Sequence, residues 1–210
     1  SEMCIRDRFG EVNPGDIKYI DKNGDGVVDS NDSYPVGYSN IPEWNYALKI
    51  GFEWKGIDVE ALFHGVANRD IYLSGPLAYS FTDNGSASKL ALDSWTPENP
   101  NAYFPRVKAY IAESTGHELA AVQTKYLQNA AYMRLKNFTF GYTLPKSLTQ
   151  KAGIERLRFY FSGENLFEVS GLKANLDPEA LDDDGKVYPL QRSFSFGFNL
   201  NLSLIHISEP

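Results

Sequence analysis

Five stretches of this chain alternate apolar and polar residues with period two, each over about ten residues or more. In residues 44–54, WNYALKIGFEW, the side chains of Trp44, Tyr46, Leu48, Ile50, Phe52 and Trp54 share one face, and Asn45, Lys49 and Glu53 share the other. In residues 56–66, GIDVEALFHGV, Ile57, Val59, Ala61 and Phe63 alternate with Asp58, Glu60, Leu62 and His64. Residues 155–167, ERLRFYFSGENLF, set Leu157, Phe159 and Phe161 on one side. Residues 192–202, RSFSFGFNLNL, set Phe194, Phe196, Phe198, Leu200 and Leu202 against Ser193, Ser195, Gly197, Asn199 and Asn201. Residues 131–144, AYMRLKNFTFGYTL, alternate out of phase: Met133 and Leu135 belong to one register and Phe138, Phe140 and Tyr142 to the other. A bulge near Lys136 or Asn137 restores the phase. Such alternation specifies an all-β fold of about five long antiparallel strands.

Strand length narrows the environment. At roughly 3.3 Å per residue and a tilt near 45°, such a strand climbs about 25 Å, the height of the apolar band of a bilayer. Trp44 and Trp54 cap opposite ends of one strand and Tyr142 ends another, as aromatic girdles at two membrane interfaces require. The connections alternate in length. The tight turn at Lys55–Gly56 is followed by about 65 residues, then by PKSLTQKAGI, then by about 25 residues. Short and long connections in turn are the habit of outer-membrane barrels. A secreted β-sandwich with one large insertion is the alternative.

A net charge of −7 argues against a nucleic-acid partner. The single cysteine, Cys4, permits no disulfide framework. No run approaches eighteen apolar residues, and the mean hydropathy of −0.37 is compatible with strands that are wet on one face. The opening SEMCIRDR and the closing SLIHISEP continue no neighbouring pattern. Residues 1–8 and 203–210 read as adapter sequence from assembly, which sets aside Cys4 and His206.

Ahead of the first strand lies DKNGDGVVDSND, residues 21–32. Asp21, Asn23, Asp25, Asp29 and Asp32 occupy positions 1, 3, 5, 9 and 12 of a calcium loop, Gly26 stands at the sharp turn, and Val27 offers its carbonyl. Calcium takes six to eight hard oxygen ligands, and this spacing wraps them around one point. Asp32 is shorter than the glutamate of the sensor pattern. A solvated acidic turn is the competing reading. The flanks, GDIKYI and SYPVGYSNIPEW, lack helical period, so a bound Ca2+ would be structural rather than a sensor's.

No catalytic set is present: there is no G-x-S-x-G, no H-E-x-x-H and no glycine-rich phosphate loop. His64 and His117 lack metal-ligand spacing; His64 reads as a residue of the wet strand face, and Asp58 and Glu60 read the same way. Asp182–Asp184 read as a solvated loop tip. In the long segment 67–130, GHELAAVQTKYLQNAA permits a short helix, and Tyr79, Phe81, Tyr103, Phe104 and Tyr110 read first as loop packing and second as stacking surfaces for sugar rings.

Five motifs stand in one order: PGDIKYIDKNGDGVVDSND, WTPENPNAYFPR, NAAYMRLKNFTFGYTLP, LRFYFSGENLF, and LDPE followed by YPLQRSFSFGFNL. Together they resemble the carboxy-terminal part of a SusC/RagA-type TonB-linked outer-membrane protein, from about Phe9 to Leu202. The resemblance implies that residues 9–202 form an open, curved sheet, the C-terminal part of a plugged transmembrane barrel of roughly 22 strands with long extracellular loops. It implies import of glycans or peptides across the outer membrane of Bacteroidota, a SusD-like lipoprotein lid, and TonB acting through a region outside this chain. It places the calcium-type loop on the extracellular side and assigns no enzyme activity. The alternative function is a secreted, calcium-stapled β-domain that binds carbohydrate.

Overall fold

The computed structural model describes residues 6–7, 10–11, 13–81, 86–108, 122–173, 176–181 and 188–203. Cys4, Tyr110, His117, Asp182–Asp184 and His206 lie outside the described residues. Five strands form one open antiparallel sheet in sequence order: β1 (Trp44–Trp54), β2 (Ile57–Ala67), β3 (Tyr132–Thr143), β4 (Ile154–Ser170) and β5 (Ser193–Leu202). The connections fall as the alternation requires. Lys55 and Gly56 both take positive φ, 48° and 86°, the two-residue turn whose twist matches that of the strands it joins. This turn pins Trp54 opposite Ile57 and hence the whole β1–β2 register. The β3–β4 connection turns through a helical stretch, Lys146–Ala152, and closes at Gly153 in the left-handed region, φ 68°.

The register carries one apolar face across all five strands. Phe52 pairs with Val59, Val59 with Phe140, Phe140 with Phe161, and Phe161 with Phe196. Phe161 and Phe196 touch with ring centroids 5.1 Å apart. On the opposite face Glu60 pairs with Thr139, Thr139 with Ser162, and Ser162 with Ser195. Both neighbours of β3 shift register around Lys136, the bulge expected there, and it returns Met133 and Leu135 to the face of Phe138 and Phe140. Trp54, Ile57 and Tyr142 lie level at the short-turn end, with Lys55 Nζ 4.8 Å above the Trp54 ring.

Apart from Val66 and Tyr132 near strand ends, the buried core is not in the sheet. It gathers Ile71, Leu73, Tyr79, Phe104, Tyr126, Ala130, Leu172 and Leu181 from the long connections at the other end. By contrast every residue of β1 is exposed, and so are Phe159, Phe194, Phe196 and Phe198. A short ladder, Asp70–Tyr72 with Leu127–Asn129, ties the two ends of the long segment together beside this core. It went unseen in the sequence because three residues are too few to show a period. The helix allowed for residues 116–131 is corrected over its described part: Thr124–Tyr126 is one 3-10 turn and Leu127–Asn129 is strand. Ladder pairing and burial of Tyr126 and Gln128 override a weak local propensity. Arg6–Asp7 pairs with Gly10–Glu11.

Candidate functional site

Two features of the polar sheet face fix the framework. Arg158 of β4 reaches across β3 to Asp58 of β2, its Nε donating to Oδ1 at 2.9 Å and its Nη2 meeting Oδ2. The intervening residue is Gly141, and a Cβ there would strike both partners. Glu60 pairs instead with Lys49, at 2.9 Å. Asp58 and Glu60 therefore each hold a cation and do not form a carboxylate dyad. Nearer the long-connection end, Arg134 of β3 is 1% exposed. It meets Glu168 of β4 and Asp177, and its Nη1 lies 3.1 Å from Glu179, which Lys136 Nζ also reaches at 2.6 Å. His64 Nδ1 lies 3.3 Å from the Tyr132 hydroxyl on the same face.

That cluster anchors the β4–β5 connection. Burial alone would raise the Asp177 carboxyl, but the backbone N–H of Leu190, the Arg134 guanidinium and the N–H of Glu179 hold it below the usual carboxylate range. The Leu190 bond is 2.7 Å. Arg69 Nη1 donates to the Pro178 carbonyl at 2.6 Å and its Nε to Asn40 at 2.9 Å, joining three connections. None of this was singled out in the sequence. Arg134 looks there like any other polar-face residue, and its partners lie 34 to 45 positions away.

The calcium-type loop is organised by its own side chains. Gly24 and Gly26, at φ 77° and 83°, donate to Asp21 at 2.6 and 2.8 Å. Asp25 donates its N–H to Asn23 Oδ1, and Val27 donates to Asp25 Oδ1, both at 2.8 Å. Asp32 accepts from the amides of Lys22 and Asn23 at 2.7 and 3.2 Å, so the two ends of the loop meet. Asp29 and Asp32 also cap the 3-10 turn Ser30–Asp32 reciprocally. The donor chemistry and the loop closure fit a hard cation such as calcium. The carboxylates, however, point to backbone amides, and among the described residues no group of three or more His, Cys, Asp or Glu side chains is arranged to hold a metal ion.

Beside this loop opens a cleft of about 710 Å³. One wall is residues 15–36, including Tyr19 and Tyr34; the other comes from the long segment and includes Trp95, Tyr103 and Gln123. Gly15, at φ 87°, lies against the Trp95 ring where no Cβ fits. Asp16 binds Arg106 and Lys108 at 2.8 and 2.9 Å. Burial would raise its carboxyl, and the Lys108 hydrogen bond, the Asn13 amide and the two positive charges lower it below the ordinary value. Tyr103 donates its hydroxyl to the Lys125 carbonyl at 3.2 Å and carries Lys125 Nζ 4.3 Å above its ring. Tyr79 and Phe104 belong to the core, as the packing reading holds, while Phe81 is exposed at φ 65°.

An amphipathic open sheet whose aromatic face is left uncovered among the described residues, with its core displaced to one end, defines a class: a piece of the wall of a transmembrane β-barrel with its loops. No protein-family model matches the chain. It is 27% identical over 208 residues to TonB-dependent receptor P3 of Formosa agariphila, covering 91% of this chain and 19% of that protein. It is 28% identical over 196 residues to TonB-dependent receptor SusC of Bacteroides thetaiotaomicron, covering 89% and 18%. Among solved structures, the RagAB peptide importer in its open-open state matches with a TM-score of 0.61 at 24% identity, covering 88% of this chain and 20% of that one. Its closed-closed state matches at 0.60 and 25%, covering 84% and 20%. The chain is homologous to SusC-type TonB-dependent receptors, and its place is the outer membrane. It spans about a fifth of the length of the curated relatives it matches.

Proposed function

We propose that this chain is the C-terminal part of the barrel wall and outer loops of an outer-membrane transporter that imports glycans, or peptides as in the RagAB importers, driven by TonB and lidded by a SusD-like lipoprotein. The observation that carries the reading is the unbroken exposed aromatic face, in register over five strands, backed by a polar face of paired charges. Lipid covers the first face, and the second lines a wet interior. The long-connection end, with its buried core and cleft, faces the outside, where cargo and lid meet it. In a strain carrying the whole transporter, uptake of its cargo falls to background when TonB is deleted. Uptake that persists at the wild-type rate without TonB rules the reading out.

In this account calcium serves the outer loops as a structural ion. Asp21, Asn23, Asp25, Asp29 and Asp32 supply side-chain oxygens and Val27 its carbonyl. The ion neutralises carboxylates that otherwise repel one another, and it fixes the wall of the adjoining cleft. Crystals of the whole transporter grown at saturating calcium are expected to give an anomalous peak within the loop. An empty or sodium-filled loop under those conditions contradicts the assignment.

A further inference from the structure

The cleft carries one lysine on each wall, Lys18 from the segment 15–36 and Lys125 from the long segment. Among the described residues neither ammonium group has a carboxylate within ion-pairing distance. Lys125 Nζ lies 4.3 Å above the Tyr103 ring instead, and Lys173 Nζ, likewise without a carboxylate, lies 5.8 Å from the same ring. A ring face attracts a cation but supplies no counter-ion, so two like charges gather at one tyrosine. The acids of the lining are engaged elsewhere. Asp16 holds both Arg106 and Lys108, so those three side chains keep one positive charge in excess. Asp29 accepts from the amide of Asn31, and Asp32 from the amides of Lys22, Asn23 and Asp29. Both stand on the Lys18 wall; the wall of Lys125 contributes no acid to the described lining. On that acid-free wall Gln123 is 7% exposed, and neither its Oε1 nor its Nε2 has a hydrogen-bond partner. Buried amides are nearly always paired, so an unpaired one needs an explanation. Nearby Gln128, 3% exposed, shows what pairing looks like: it donates to the Tyr103 hydroxyl and the Lys125 carbonyl at 3.0 and 3.2 Å. Gln123 thus adds an unused N–H donor to a wall that already carries an unpaired ammonium. Its terminal torsion is soft, so the donor turns into the cleft at little cost.

We propose that this cleft binds a small organic polycarboxylate, an apolar body bearing two or more carboxylate groups. Lys125 and the Gln123 Nε2 hold one carboxylate, and Lys18 holds another from the opposite wall. Three observations select that class. The first is the sign of the unused groups: two ammonium groups and an amide donor lack an acceptor, and an oxyanion supplies it. The second is their placement. The cations stand on both walls, so a ligand with a single point charge leaves one of them idle. The third is the space between. The cleft of about 710 Å³ is lined by Tyr19, Tyr34, Tyr72 and Trp95, which is room and apolar surface for an organic molecule rather than for a bare inorganic ion. Side chains of that kind also exclude water from an ion pair formed against them, and so strengthen it relative to open solvent. The inference goes beyond the transporter reading: it concerns the cleft alone and stands whether or not the barrel imports this ligand.

The test uses the whole transporter, purified in detergent, and calorimetric titration with trimesate, a benzene ring bearing three carboxylates. Its neutral amide, trimesamide, and inorganic sulfate are the comparison probes. Trimesate binds, and both comparison probes bind at least about tenfold more weakly. Raising sodium chloride from about 20 to about 500 mM weakens trimesate, because ion pairs partly open to solvent are screened. Lys18→Gln and Lys125→Gln each weaken it by about fivefold, the upper end for a partly exposed pair. Gln123→Leu weakens it by about tenfold, the loss of a hydrogen bond to a charged group. Lys125→Arg keeps the charge and holds the affinity within about twofold of the wild type. Lys49→Gln, whose ammonium is already paired with Glu60 on the sheet, leaves it unchanged. Variants are compared as folded protein, checked by heat-modifiable mobility. Absence of trimesate binding, or trimesamide binding as tightly as trimesate, overturns the proposal. So does affinity indifferent to Lys125→Gln and Gln123→Leu. Sulfate bound as tightly as trimesate makes this a site for an inorganic anion only, which also overturns it.

Discussion

Residues 9–202, produced without detergent or the remainder of a barrel, will not form a monodisperse, cooperatively melting monomer. The sheet has two edge strands, β1 and β5, each presenting a row of unpaired backbone groups, and such edges template association. Its apolar face adds Trp44, Leu48, Ile50, Phe52, Trp54, Phe140, Phe159, Phe194, Phe196 and Phe198, all exposed. A contiguous patch of that size lies well beyond what soluble monomers carry. The loop core at one end does not compensate, because its buried cluster draws no residue from the five strands. Size-exclusion chromatography and a thermal melt read the outcome. Aggregates, or recovery only in detergent, are expected. A sharp monomer peak with a cooperative melt would restore the secreted β-domain.

Most of the sheet was legible in the sequence because a period of two, sustained over ten residues, leaves few alternatives. All five strands fall within two or three residues of the alternating stretches. Even the phase slip between Leu135 and Phe138 was readable as one inserted residue, and the structure puts the register shift at Lys136. The turn at Lys55–Gly56 was legible for the same local reason, since glycine there accepts the left-handed backbone a two-residue hairpin needs. What local pattern does not carry was missed. The Asp70–Tyr72 ladder is held by pairing across more than fifty residues and by burial of Ile71 and Leu73. Residues 124–129 are turn and strand for the same reason.

The candidate site was legible only where one loop supplies it. The residues of 21–32 declare their chemistry because all the oxygens lie within twelve positions. The cleft draws on segments from Gly15 to Leu127 and the Arg134 cluster on partners 34 to 45 positions away, and each member looks ordinary alone. Gln123, buried with neither amide atom hydrogen-bonded, gives no signal in sequence, since burial and pairing follow from the fold. Asp58 and Glu60 were rightly placed on the polar face, but their cations, Arg158 and Lys49, follow from register and not from spacing.

The central claim is that one face of this sheet meets lipid and the other does not, and neighbouring residues of β5 test it within a single strand. Phe196 lies on the aromatic face against Phe161 and is 82% exposed; in a barrel its surroundings are acyl chains. An arginine on that face near the bilayer midplane costs about 2–4 kcal/mol, and less toward an interface. Ser195, one position away, points to the opposite face in the row of Ser162, Thr139 and Glu60, where a guanidinium finds hydroxyls and a wet interior. The measurement is the amount of folded whole transporter in the outer membrane, by heat-modifiable mobility on gels, for Phe196→Arg and Ser195→Arg against the wild type. Strong loss is expected for Phe196→Arg and near wild-type levels for Ser195→Arg. Equal levels for the two variants, or the opposite order, would contradict the claim.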